Sequence, residues 1–161
     1  MAYRISRNIE ASLIDWLTTA LTTAGYIPGT RVEKVFAEVY KGALPCICIE
    51  QNPEEDTLLE IGSKTWLKTF SISIRIFATS DGLRLDLKDL ITDLLEDDID
   101  YYPYTVVNGI VTVKGLPNGT PTGKIKLLKI TRNEKELVNT ENLVKEDKYR
   151  HIISFNAVVS I

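Results

Sequence analysis

Apolar and polar residues alternate cleanly over residues 151–161 (HIISFNAVVSI), with Ile153, Phe155, Ala157, Val159 and Ile161 on one side and Ile152, Ser154, Asn156, Val158 and Ser160 on the other. A period of two sends alternate side chains to the same face of a sheet. The pattern therefore predicts a strand with one face on the core, and a C-terminus tied into the fold. Residues 69–77 show the same alternation: Phe70, Ile72, Ile74 and Ile76 share one face, and Thr69, Ser71, Ser73 and Arg75 the other. Two stretches follow the helical period instead. Ile5, Ile9, Leu13, Leu17 and Leu21 recur every four residues, with Trp16, Ala20 and Ala24 beside them and Gly25 following. This predicts a helix over residues 6–24 that ends at a glycine. Leu83, Leu87, Leu90, Ile91, Leu94 and Leu95 form a wide stripe after Thr79, Ser80 and Asp81, each a suitable N-cap, which predicts a second helix over residues 82–97.

Shorter elements fill the gaps. Residues 32–40 and 46–51 read as strands separated by Gly42 and Pro45, residues 52–56 (NPEED) as a polar turn, and residues 58–61 as a short strand. Asn108-Gly109, set between Val106-Val107 and Ile110-Val111, predicts a hairpin over residues 104–114, because Asn-Gly suits the positive φ angles of a type I′ turn. The breaker-rich residues 116–123 (LPNGTPTG) predict an exposed loop, residues 124–131 a strand, and the evenly charged residues 133–150 a long excursion. The fold class that follows is α+β and sandwich-like. A mixed, mainly antiparallel sheet packs against two amphipathic helices, with a hairpin and a long charged loop. No repeat or low-complexity linker divides the chain, so residues 1–161 are expected to form a single domain.

Composition narrows the function classes. At 161 residues, 44% hydrophobic and 25% charged, the chain has the makings of one ordinary core. A formal net charge of −3 provides no electrostatic footprint for nucleic acid. No segment reaches the ~18 consecutive apolar residues of a membrane-spanning helix, and the opening MAYRISRNIEASL has no apolar run of the secretory kind. The expectation is a cytoplasm-like compartment and no membrane. Cys46 and Cys48 stand two apart in an apolar run, hence on one face of a strand, which suits buried thiols better than a disulfide between them.

Candidate chemistry is sparse. The one histidine, His151, heads the terminal strand without the serine or cysteine and acid pattern of a nucleophilic triad. The acids Asp93, Glu96, Asp97, Asp98 and Asp100 do not follow the ligand spacing of a calcium loop. Gly62-Ser63-Lys64-Thr65 lacks the upstream glycine of a phosphate loop, since position 57 is threonine. No catalytic, cofactor-binding or metal-binding residues are expected, and the chain does not read as an enzyme. The acidic run is nonetheless unusual. Each negative charge in the last turn of a helix opposes the macrodipole by ~0.3–1 kcal/mol, so solvent or a neighbouring subunit must accommodate it. Tyr101, Tyr102 and Tyr104, around Pro103, either anchor a partner or close the gap between helix and hairpin.

The order of elements, with the stretches IEASLIDWLTTAL, KTFSISIRIFATS, LRLDLKDLITDLLEDD and FNAVVSI, resembles the tail terminator (tail completion) proteins of long-tailed bacteriophages, most closely those of the T5-type siphophages. The likeness spans nearly the whole chain and contains no catalytic signature. It implies a structural virion protein made late in assembly in the host cytoplasm. Six copies would close into a homo-hexameric ring at the head-proximal end of the tail, ending tail-tube polymerisation and offering the surface for joining to the DNA-filled head. The implied partners are further copies of itself, the tail tube protein and a head-completion or neck protein. DNA would pass through the lumen without specific binding, and no cofactor is implied. On this reading Glu96, Asp97, Asp98 and Asp100 are candidate interface residues facing basic residues of a neighbour such as Arg132 and Arg150, with Tyr101 and Tyr102 beside them. The hairpin or the charged excursion would face the tube. A neck or head-completion protein of the same virion, and a small-ligand-binding regulatory α+β domain, are the rival readings.

Overall fold

The computed structural model describes residues 5–34, 36–52, 55–58, 66–107, 110–114, 119–138 and 144–160. In chain order its elements are α1 (Ile5–Thr23), β1 (Arg31–Glu33), a 3₁₀ turn (Phe36–Lys41), β2 (Cys46–Gln51), β3 (Glu55–Leu58), β4 (Trp66–Phe77), α2 (Asp81–Leu94), β5 (Ile99–Tyr101), β6 (Tyr104–Val107), β7 (Ile110–Lys114), β8 (Gly123–Lys135), a short 3₁₀ turn (Lys145–Asp147) and β9 (Arg150–Ser160). The fold is α+β, as expected. Its main sheet has seven strands in the order β1-β2-β4-β9-β8-β5, with β3 also paired to β4, and β6 with β7 forms a separate two-stranded ribbon. Only β1 with β2 is parallel; the other pairings are antiparallel.

The two alternating stretches meet in the centre of the sheet. Ile72 lies opposite Phe155 and Ile74 opposite Ile153, with Phe70 opposite Ala157, and all six side chains are 2% exposed or less. Both helices cover this face. Ile9, Leu13, Leu17 and Leu21 of α1 and Leu87 and Ile91 of α2 join Ile47, Ile49 and the β4 isoleucines in one buried cluster. Burial at ~25 cal/mol per Å² of apolar surface is the main force holding the helices down. The threonines of α1 contribute little: Thr22 and Thr23 bond back to the carbonyls of Thr18 and Thr19 at 2.7 and 3.0 Å. Its end is well made. Gly25 takes φ +82°, its N–H reaches Thr22 O at 3.1 Å, and Tyr26 N–H reaches Leu21 O at 2.8 Å, the paired bonds of a Schellman cap.

The opposite face carries a second layer at one end. There Val39, Cys46, Cys48 and Phe77 form a second buried cluster with Phe36 and Leu44. The cysteines are free thiols, and burial pushes them up to about 11 and about 12, so they pack as small apolar groups.

Several elements differ from the sequence pattern for identifiable reasons. Residues 32–40 are not one strand: β1 stops at Glu33 and the chain winds into the 3₁₀ turn. Phe36 and Tyr40 stack edge-to-face on each other and on Phe77, an arrangement an extended chain cannot give to residues four apart. Arg31 fixes the turn by donating to Val39 O and Ala43 O at 3.1 and 2.7 Å. Gly42 makes room for it, since a Cβ there would lie 2.5 Å from the guanidinium carbon. The polar turn expected at residues 52–56 gives way at Glu55 to β3, which runs to Leu58; the rest of the strand expected at residues 58–61 is outside the described set, as are the hairpin turn residues 108–109. α2 stops at Leu94, before Glu96 and Asp97 rather than after them. β8 continues to Lys135, which shortens the charged excursion from its front. Two register shifts, between Leu127 and Lys129 and between Ile130 and Arg132, bend the strand without ending it, and the added residues 132–135 are exposed and without apolar alternation.

Removing residues 158–161 deletes the pairings of Val158 with Lys126, Val159 with Ile125 and Ser160 with Lys124, and uncovers the buried Ile125. The truncated protein is expected to lose at least ~2 kcal/mol in denaturant unfolding. An unchanged midpoint would show that the core does not extend to this edge.

Candidate interaction surfaces

The register sorts side chains into two faces. Residues opposite the buried isoleucines lie under the helices, and their neighbours point to the open side. On β8 the open side receives Lys124, Lys126, Lys129 and Arg132, which lie opposite Ser160, Val158, Asn156 and Ser154 of β9. All four are exposed. Lys124 is held by Asp100 at 2.5 Å and Arg132 by Glu134 at 2.6 Å. Lys126 and Lys129 have no ion-pair partner among the described residues. Next to them the sheet is polar: Asn52 donates to Ser73 Oγ at 2.7 Å, and Ser73 and Ser154 share a hydrogen bond of 2.9 Å.

On the helix side, Glu96, Asp97 and Asp98 are exposed just past the end of α2. Because α2 ends at Leu94, these three carboxylates lie just past its negative end, where their exposure lets solvent screen the macrodipole penalty. They are not neutralised by an ion pair among the described residues. Asp98 and Asp100 form part of a pocket of about 320 Å³, together with Asp15, Trp16 and Thr19 of α1, Tyr102 and Lys124. Tyr102 sits there through its backbone N–H, which donates to Ser12 Oγ at 3.0 Å. The Asp100 hydrogen bond and charge raise the Lys124 ammonium above its usual range. The pocket is therefore a partly self-neutralised acidic recess.

The other candidates are taken up inside the chain. Tyr101 is 3% exposed and accepts a hydrogen bond from Asn8 Nδ2 at 3.1 Å, so it closes the core under α1 and is not available on the surface. Arg150 is 8% exposed. Its guanidinium bonds Glu136 at 2.7 Å and Asp147 at 3.0 Å and lies over the rings of Phe36 and Phe77 at 5.3 and 5.1 Å. It cannot serve a neighbour's acids without leaving these partners. Sequence reasoning placed neither Asp15, Trp16 and Lys124 in a recess nor Lys126 and Lys129 on a face. The recess joins residues ~85–110 positions apart, which no local period reveals. The lysines stand in a strand whose shifted register obscures its faces.

His151 is structural. Arg84 Nη1 lies 2.8 Å from its Nδ1 and Asn133 Oδ1 lies 2.7 Å from its Nε2, which suits a neutral ring accepting from the arginine and donating to the amide. Burial, then the charges of Arg84 and Lys88, push it down to about 4.

No protein-family model matches the chain, and the comparison with curated proteins finds no match. Among solved structures, a chain from the virion of a native gene transfer agent particle is similar over 98% of both chains, at 13% identity and a TM-score of 0.48. At that level the likeness bears on neither family nor function.

The histidine makes a pH prediction. Above pH 6.5 the ring is neutral folded or unfolded, and between pH 6.5 and about 4 only the unfolded chain takes the proton. Its contribution to stability therefore falls as pH drops through that window, by at most ~1.4 kcal/mol per pH unit. His151→Gln is expected to flatten this part of the stability profile measured by urea unfolding. An equally steep profile in the variant would assign the dependence to other groups.

Proposed function

We propose that the chain is a structural protein of a phage-type virion, without catalytic turnover. Its copies close into a hexameric ring at the head-proximal end of the tail, end tube polymerisation and present the surface that joins the head. The reading starts from the sequence resemblance. The structural observation that supports it is a pair of complementary surfaces on one subunit, without ion pairs among the described residues: exposed Glu96, Asp97 and Asp98 at the exit of α2, and exposed Lys126 and Lys129 on the side of the sheet away from the helices. A head-to-tail contact needs two different patches on each copy, and such contacts generate rings when the rotation closes. Opposite charges steer copies together and penalise like-with-like pairing.

The same arrangement bears on DNA passage. A basic stripe lining the lumen would hold phosphate, whereas a stripe turned to the neighbouring copy leaves an acidic chain that lets the duplex through. The tail tube protein and a neck or head-completion protein are the partners on the ring's two faces. A small-ligand reading has only the recess in its favour, and there Asp100 and Lys124 already satisfy one another.

Native mass spectrometry of the purified protein, alone and with tail tubes, is expected to give a six-fold mass, with rings at one end of the tubes. A protein that stays monomeric and leaves the tubes uncapped would refute the reading. The triple variant Glu96→Lys, Asp97→Lys, Asp98→Lys is expected to reduce assembly at least ~10-fold at low salt, with the loss smaller at high salt. Unchanged assembly by light scattering would remove charge from the interface.

A further inference from the structure

β8 is a long strand with exposed side chains along much of its length. Along one edge it pairs with β9 through Lys135. Along the other, β5 reaches only Gly123, Lys124 and Ile125. From residue 126 to 135 no strand flanks that second edge among the described residues, a run of roughly 30 Å at ~3.3 Å per residue. Most of its side chains are exposed, including Leu128 at 55%. The register shifts at residues 127–129 and 130–132 divide the run, leaving residues 132–135 as its longest regular stretch. Bulges and lysines of this kind protect an edge from indiscriminate pairing without abolishing its capacity to pair.

The molecule also holds a donor for such an edge. Among the described residues β6 and β7 pair with each other and with no strand of the main sheet. The ribbon is tethered at its base, where Tyr104 N–H donates to Asn8 Oδ1 at 3.3 Å. A lone two-stranded ribbon is marginally stable in water. β6 is four residues long, the length of the regular stretch at 132–135. Residues 104–113 carry no charge, so they can approach an edge flanked by Lys129, Arg132 and Lys135 without repulsion. Two β8 edges brought together would instead set cation against cation. Within one copy the two parts cannot meet: the ribbon leaves β5 beyond Tyr101, which lies opposite Gly123, whereas the free edge begins on the other side of Ile99, which lies opposite Ile125.

We propose that the β6–β7 ribbon of one copy adds to the β8 edge of the next copy at residues 132–135, as a head-to-tail strand addition. The occupant is a second copy of this chain and not the tail tube. The inference deepens the ring reading and rests on it for the presence of a neighbour. It supplies directional main-chain hydrogen bonds where the charge patches supply only attraction.

A mixing experiment tests it. One variant replaces residues 104–114 by a short Gly-Ser linker. The other blocks the edge with Asn133→Pro or Glu134→Pro. Along an antiparallel strand the N–H groups alternate between the two edges, so one of these substitutions removes an outward N–H and spares the β9 ladder; circular dichroism identifies it. Each variant alone is expected to be folded and monomeric by light scattering, and an equimolar mixture is expected to double in mass and stop there, because only one ribbon and one edge remain. Should neither proline variant fold, a synthetic peptide of residues 104–114 in excess is expected to lower wild-type assembly at least ~5-fold. A mixture that stays monomeric, a peptide without effect, or a ribbon-less variant that still forms rings would overturn the strand addition and leave the ring reading standing. Rings that form without the ribbon but no longer bind tube ends would assign the ribbon to the tube. A wild-type protein that remains monomeric even with tail tubes present would remove both.

Discussion

The antiparallel pairing of β4 with β9 is the constraint on which the other elements depend. It joins residues about eighty positions apart, Phe70–Phe77 with Arg150–Ala157. Closing so long a loop has a large entropic cost that local structure does not offset. What offsets it is the dry face formed by Phe70, Ile72, Ile74, Ile153 and Phe155, which both helices cover. β2 and β8 then extend the ladder on either side, and α1 reaches the outer strand through Asn8 and Ser12, which bond Tyr101 and Tyr102. Without the central pair neither helix has a surface to bury its stripe, and helices of this length are marginal by themselves.

The far side of the same pair obeys a different rule. Where β4 ends, Arg75 bonds Glu50, and Arg150 bonds Glu136 and Asp147 while lying over the aromatic rings of Phe36 and Phe77. Charges this enclosed add little net stability, because their desolvation offsets most of their attraction. They do fix geometry. Tyr40 Oη donates to Asp147 at 2.9 Å, which fastens both 3₁₀ turns to one end of the sheet. The other end carries half-buried Ser71 and Asn156 and exposed Lys126 and Lys129. The two ends of the sheet therefore differ, as a head-to-tail subunit would require.

What the sequence disclosed follows from the range of the forces involved. The stripes of α1 and α2 and the alternation of β4 and β9 were readable because each repeats within a few residues and answers to one apolar face. The hairpin was readable from Asn108-Gly109 for a local steric reason. Residues 32–40 misled because their β-branched and aromatic residues serve a helical turn packed on Phe77, a contact forty residues away. Residues 124–131 of β8 were readable despite two bulges, whereas 132–135 (RNEK) were not, because their side chains are exposed and charged or polar and show no apolar alternation. Among the interface candidates, the exposure of Glu96, Asp97 and Asp98 follows from their charge alone. The roles of Tyr101 and Arg150 could not, since an aromatic or a cation in sequence looks the same whether it meets Asn8 and Glu136 inside the chain or a partner outside it.

Amide hydrogen exchange, compared between dilute subunit and assembled ring, tests the central claim most directly. The account predicts that β4 and β9 are protected equally in both states. It also predicts that the amides of residues 132–135 that point away from β9, and those of β6 and β7 that point away from each other, exchange quickly in the subunit and slow at least ~10-fold on assembly. Slow exchange of these outward amides in the isolated subunit, or a ring that leaves them as fast as before, would contradict it.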